Sequence, residues 1–193
     1  MSKKLKVNKL VKMSLLAGIS AVLMMFSISI IPIFPWLKID LADIPALIGA
    51  FAFGPLAGVI ITIIKLALNL ILTGTQTAGV GELANFLIGI SMIVPASFIY
   101  HRNKTKKNAI IGIIVGAVSL QLIAIFANVY LLLPLYGITP EGGTMNYIIA
   151  GLLPFNILKA VIVGVVTFLL YKKISVAVFK EDAFRTKKEP VTN

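Results

Sequence analysis

The chain has 193 residues, 59% of them apolar and 13% charged, with a formal net charge of +11, and its mean hydropathy is +1.00. Soluble globular domains are about 45–50% apolar and about 25% charged, so this composition excludes both a soluble domain and a disordered chain. The absence of cysteine and the presence of a single histidine, His101, exclude disulfide scaffolds, thiol catalysis, Cys-zinc and iron–sulfur sites and multi-histidine metal sites.

A membrane-spanning helix needs about 20 mostly apolar residues. The first stretch of that kind runs from Met13 to Ile31, after Lys3, Lys4, Lys6, Lys9 and Lys12. A signal peptide shares the basic start. However, this stretch is long for one, and no small-x-small cleavage site leads into a polar continuation, so a retained helix is expected. Residues 32–45 follow, with Pro32, Pro35 and Pro45 breaking helix geometry. The segment stays apolar and carries Trp36 at interfacial depth. Irregular backbone at membrane depth must be covered by protein or line a site, so this segment is expected to fold back as a lid over a cavity.

A second helix over Leu41–Phe53 spans only about 20 Å, against a hydrocarbon core of about 30 Å. Its shortness predicts a recess on the outer side. Gly54-Pro55 turns the chain into a third helix that ends near Thr73, and the polar, Gly-rich run from Thr73 to Gly81 is a loop. The fourth helix covers Glu82–Tyr100 and is followed by the basic turn His101–Lys107. The fifth, Asn108–Leu133, contains no charge and is ended by Pro134-Leu135-Tyr136-Gly137. After a loop with Gly142-Gly143, the sixth runs from Asn146 to Tyr171, with Lys172 and Lys173 closing it.

Of the 18 basic residues, five lie in residues 1–12, four in 102–107 and six in 172–188. Six spans put both termini and all three clusters on one side, which the positive-inside rule makes cytoplasmic. The expected architecture is an all-α integral membrane protein, a six-transmembrane-helix bundle with cytoplasmic N- and C-termini. Residues 1–12 form a basic cytoplasmic N-terminus, residues 13–173 the membrane domain and residues 174–193 a charged cytoplasmic tail. A nucleic-acid partner would need one basic face rather than membrane flanks, and none is expected.

The informative residues are polar groups inside apolar spans: Lys65 with Asn69, Glu82 with Asn85, Asn128, and Asn156 with Lys159. A lysine at the centre of a membrane helix costs about 2.5–3.5 kcal/mol on the insertion scale, which calls for a partner or a ligand. Asn156 and Lys159, three apart, share a helix face. Asn85, Asn128 and Asn156 bring carboxamides from three helices to the outer half. An amide offers both donor and acceptor, which suits a flat ring whose edge alternates C=O and N–H, such as a uracil-like ring. Phe34, Trp36, Tyr130, Tyr136 and Phe155 are candidate walls.

Plainer readings stand beside these. Asn side chains also hydrogen-bond helix to helix in membranes. Lys65 with Asn69 at i,i+4 reads as structural, or as a lysine reaching for headgroups. Asp40 and Asp43 suit helix capping, and Glu82 suits a helix start. Ala17 and Ala21, four apart on helix one, permit close approach of another helix, either a partner's or one in the same bundle. No G-x-x-x-x-G-K-[ST], H-E-x-x-H or G-x-S-x-G motif is present, so neither ATP hydrolysis by a phosphate loop nor catalysis by those constellations is expected.

The chain resembles the riboflavin-specific substrate-binding subunits (S components) of energy-coupling factor vitamin transporters of Gram-positive bacteria. The carrying residues are Asp40-x-x-Asp43-x-Pro45, Gly54-Pro55-x-Ala57-Gly58, Glu82-Leu83-Ala84-Asn85-Phe86, Asn128 with Leu133-Pro134-Leu135-Tyr136-Gly137, and Pro154-Phe155-Asn156-Ile157-Leu158-Lys159. The likeness covers about residues 10–173. It implies a non-enzymatic subunit of the bacterial cell membrane that holds riboflavin as transported ligand, not as cofactor, near the outer side under the first loop. Asn128, Asn156 and Lys159 match positions that hydrogen-bond the flavin, and Asn85 matches less closely. Glu82, Trp36, Leu37 and Tyr136 complete the candidate binding set. Ala17 and Ala21 match the family's A-x-x-x-A, which docks the transmembrane coupling subunit, and two cytoplasmic ATPases complete the family's complex. An S component for another vitamin, an ion-coupled secondary carrier working through Lys65 and Glu82, and a membrane scaffold assembled through Ala17 and Ala21 are the alternatives.

Overall fold

The computed structural model describes residues 3–75, 78–140 and 142–174. The tail expected over residues 174–193 therefore lies, beyond Ile174, outside the described residues. Among those described, five helices are long and apolar enough to cross a membrane, and a sixth apolar helix is shorter.

Helix α1 covers Lys3–Met25 and stops six residues before the expected Ile31. The β-branched residues beyond it turn extended instead. Strand β1 (Ile28–Ser29) pairs antiparallel with β2 (Lys38–Ile39), Ile28 opposite Ile39 and Ser29 opposite Lys38. Pleated backbone suits such β-branched residues better than a helix does. The proline-rich segment is thus a small hairpin with a folded tip. Helix α2 (Asp43–Phe53) starts two residues later than expected and is buried on nearly every side, as an all-round apolar helix must be. It ends at Gly54, whose φ of 104° is open to glycine and strained for other residues. Pro55 then opens α3 (Pro55–Thr73), at a position where its missing N–H has no partner to lose.

Helices α4 (Val80–Arg102) and α5 (Lys106–Phe126) approach closely because Gly112 and Gly116 leave room for the backbone of α4. A Cβ at Gly116 would stand 2.6 Å from the Met92 carbonyl oxygen. Small residues four apart are the usual device for such contacts in membranes.

The last two spans are longer than expected. α5 continues through a π-helical segment, π1 (Ala127–Leu132), into α6 (Leu133–Tyr136). The sixth span begins at Gly143 with α7 (Gly143–Asn146), widens in π2 (Tyr147–Leu152) and continues as α8 (Leu153–Ile174). Leu133 N–H bonds Asn128 O, and Leu153 N–H bonds Ile148 O. A proline, Pro134 or Pro154, follows each segment. A proline ring lacks an N–H and crowds the carbonyl of the turn before it, and a widened turn accommodates both effects. Pro134 therefore sits inside the extended helix, which ends at Gly137.

One end of the bundle is organised around the C-terminus of α2. Lys9 Nζ donates to Phe53 O at 3.2 Å, Tyr171 Oη donates to Phe51 O at 3.2 Å, and His101 Nε2 lies 3.1 Å from Ala50 O. The first two satisfy helix-end carbonyls that lack an intrahelical partner, and His101 adds a second contact to Ala50 O, which already accepts from Gly54 N–H. The three contacts also place the start of α1, the α4–α5 turn and the end of α8 together, so Lys9, the basic turn His101–Lys107 and Lys172 with Lys173 share that end. Ala17 and Ala21 are fully covered by the chain's own packing, at 0% and 1% exposure. This fits the reading of them as small residues that let a helix of the same bundle come close. Their methyl groups serve contacts within the bundle.

Candidate functional site

The opposite end carries the hairpin and a second apolar cluster, in which Phe34, Leu37, Leu133, Tyr147, Leu152 and Phe155 pack together. Phe34 is the pin of the lid. Its ring meets Tyr147 edge-on at 4.9 Å and lies over Gly151, where a Cβ would stand 2.7 Å from ring carbons. Burying one such side chain stabilises by about 1.5–3 kcal/mol. Phe34 was expected as a cavity wall; instead it fastens the lid to π2. Tyr130, also expected as a wall, is 70% exposed and packs on Phe126 at 5.2 Å on the outside of α5 and π1.

The two π segments face each other across the site. Trp36 Nε1 donates to Tyr147 Oη at 3.0 Å, Tyr147 Oη donates to Asn128 Oδ1 at 2.8 Å, and Asn128 Nδ2 donates to Ala124 O at 2.8 Å. This relay ties the hairpin to both π segments. An amide has two donors and two acceptor sites, so Asn128 keeps one of each for another partner. Tyr147 had no place in the sequence-based set. A tyrosine hydroxyl within an apolar span needs a polar partner, and that was its signal.

Beneath the relay lies a buried charge network. Asp43 Oδ1 accepts from Lys65 Nζ at 2.7 Å, and Asp43 Oδ2 lies 3.2 Å from Lys159 Nζ. Asp40 Oδ2 lies 3.7 Å from the same ammonium, while Asp40 Oδ1 accepts from Ala42 N–H at 2.9 Å. Two carboxylates thus face two ammonium groups, with no net charge. Three sequence-based readings change here. Asp43 does not cap α2, whose start has no side-chain cap. Lys65 does not reach for headgroups but is 2% exposed and closed in an ion pair. Asn69 stands apart from that pair and lines the cavity.

A cavity of about 510 Å³ joins these elements, a size typical of small-molecule sites. It is lined by all eight candidate residues: Asn128, Asn156 and Lys159 from π1 and α8, Glu82 and Asn85 from the start of α4, and Trp36, Leu37 and Tyr136 from the hairpin and α6. Phe155 and Asp40 line it too. The amide nitrogen of Asn156, which is 3% exposed, is buried with no hydrogen-bond partner among the described residues. A buried donor left unpaired costs about 1–3 kcal/mol. The cavity is therefore lined by Asn156, whose amide nitrogen is buried without a partner among the described residues, by a held ammonium and by a half-used amide, between aromatic walls.

Residues 8–171 match the family described as ECF transporter, substrate-specific component. The chain is 33% identical over 175 residues to the riboflavin transporter RibU of Staphylococcus aureus (strain TCH60), covering 87% of this chain and 90% of that protein. It is 32% identical over 177 residues to the riboflavin transporter FmnP of Bacillus subtilis (strain 168), covering 88% and 93%. A solved structure described as the S component of a bacterial ECF transporter superposes with a TM-score of 0.77 at 32% identity, covering 90% of this chain and 98% of that one.

Proposed function

This chain belongs to the substrate-specific components of ECF transporters, multi-pass proteins of the bacterial membrane, and from that premise we propose that it binds riboflavin in the cavity beneath the hairpin. The observation that carries the reading is the unpaired Asn156 amide, buried beside Lys159 in a cavity of suitable size. The pyrimidine edge of a flavin alternates carbonyl acceptors with an imide N–H. Asn156 Nδ2 and Lys159 Nζ supply donors to the carbonyls, and Asn128 supplies its remaining donor and acceptor. Trp36, Leu37, Tyr136 and Phe155 supply apolar walls, and Glu82 and Asn85 lie where a hydroxylated side chain needs polar partners. The names of the relatives support the same ligand.

The basic end faces the cytoplasm by the positive-inside rule, with residues 1–12 leading into the membrane domain 13–173 and residues 174–193 as a cytoplasmic tail. The hairpin end then faces outward, and capture is extracellular. Uptake follows when a transmembrane coupling subunit, docking at the α1 stripe that holds Ala17 and Ala21, and two cytoplasmic ATPases engage the loaded bundle. The test is a fluorescence titration of the detergent-purified protein with riboflavin. Stoichiometric quenching is expected; well-folded protein that leaves the fluorescence unchanged refutes the reading.

A further inference from the structure

We propose that Asp40 is a positioning residue, which aims the Lys159 ammonium into the cavity and ties the hairpin lid to the body through it. This rests on the reading of Lys159 as a ligand contact. Asp40 directly follows β2, so its carboxylate stands at the root of the lid. It is buried, at 8% exposure, and it lines the cavity.

Its two oxygens have different work. Oδ1 accepts the Ala42 N–H at 2.9 Å and shapes the turn into α2. Oδ2 faces Lys159 Nζ at 3.7 Å. A residue needed only for the turn would require Oδ1 alone. An ammonium carries three N–H donors. Lys159 directs its charge toward Asp43 on α2 and Asp40 on the lid, and a donor is left for the cavity that both Lys159 and Asp40 line. Charge supports the same assignment. Asp43 alone would face two cations, Lys65 and Lys159; Asp40 brings the cluster to neutrality. An opening lid would carry Asp40 away from Lys159, so the lid and the ligand's donor are coupled through one ion pair.

The test separates charge from turn. D40N keeps an oxygen for the Ala42 N–H and loses the charge; D40A loses both. Riboflavin titration and stopped-flow dissociation are measured for each, with hydrogen–deuterium exchange of residues 34–39 in the ligand-free protein. D40N is expected to release riboflavin roughly tenfold faster, since losing one partner of a buried charge pair acts on dissociation, and to speed exchange in the hairpin. In a K159Q background D40N is expected to change affinity no further. D40N that matches the wild type in release and exchange, while D40A is impaired, reduces Asp40 to a turn residue and overturns the proposal. An added loss in D40N/K159Q also overturns it. Should D40N not fold, K159Q is compared with D40N/K159Q, which is uncharged at both positions. A wild-type protein that fails to quench riboflavin sinks the ligand reading, and this proposal with it. A wild type that binds beside an unaffected D40N sinks this proposal alone.

Discussion

The Tyr147 hydroxyl donates to Asn128 Oδ1 at 2.8 Å, and this one bond joins two π-helical segments that belong to different spans. It fixes the amide that the proposed ligand must meet. Trp36 bonds the same hydroxyl from the lid, so one oxygen serves three elements.

Tyr147→Phe removes that oxygen and little else. Trp36 Nε1 loses its acceptor, and Asn128 is left held only by its bond to Ala124 O. Each polar group left unpaired costs about 1–3 kcal/mol, and about 1.4 kcal/mol is tenfold in affinity. Riboflavin titration of the variant is expected to show binding weakened at least about tenfold. Affinity within twofold of the wild type would show that the relay is dispensable.

Asn156→Ala and Lys159→Ala are both expected to weaken riboflavin binding, but they part company in the ligand-free protein. The Asn156 amide nitrogen has no partner to lose, so thermal unfolding without riboflavin is expected to stay close to the wild type. Lys159→Ala strips a cation from Asp40 and Asp43, and breaking a buried pair costs about 3–5 kcal/mol. Its unfolding midpoint is expected to fall clearly with or without ligand.

Lys65→Met leaves two carboxylates facing Lys159 alone. The single variant is expected to lose about 3–5 kcal/mol of stability. Asp43→Asn added to it restores charge balance between Asp40 and Lys159, and part of the lost stability is expected to return. Denaturation of the two variants in the same detergent is the comparison; a double variant weaker than the single contradicts the neutral-cluster account.

Gly151→Ala tests the pin of the lid. The new methyl would stand 2.7 Å from the Phe34 ring, so the ring must move. Overpacking of this kind costs about 1–3 kcal/mol. Faster riboflavin dissociation is expected, and Phe34→Leu in the same chain is expected to recover part of it. Unchanged dissociation kinetics would separate Phe34 from lid closure.

Much of this was legible in the chain. The long apolar runs, their basic flanks and the proline-rich lid could be read because membrane solvation acts on each residue in turn. Asn85, Asn128, Asn156 and Lys159 could be picked out because amides and a lysine stand out in apolar spans; Glu82, Trp36, Leu37 and Tyr136 joined them through the resemblance. What escaped was pairwise. Asp40 and Asp43 looked like caps, although Lys65 and Lys159 were the two lysines inside spans and required two counter-charges. Ala17 and Ala21 showed that a helix comes close, but not whose. Gly112 and Gly116 carry the same four-residue spacing, and it is their close approach to α4 that sets how the bundle packs. Helix ends were missed at Met25 and Tyr136, where hairpin pairing and π widening outweighed local preference.

The widened turns shift the phase of each long helix. Along α5 the covered positions recur every four residues through Gly112, Gly116, Leu120 and Ala124, then step by five from Asn128 to Leu133; in the sixth span covered positions follow Tyr147 at both four and five residues, at Gly151 and Leu152. A helical wheel drawn straight through either span misassigns everything beyond the bulge by about 100°, the rotation of one residue. Excision of a single residue from π1 would turn the step of five into the regular step of four and leave Leu133 and Tyr136 on their present faces, whereas removing one from the regular turns of α5 would swing both by about 100°.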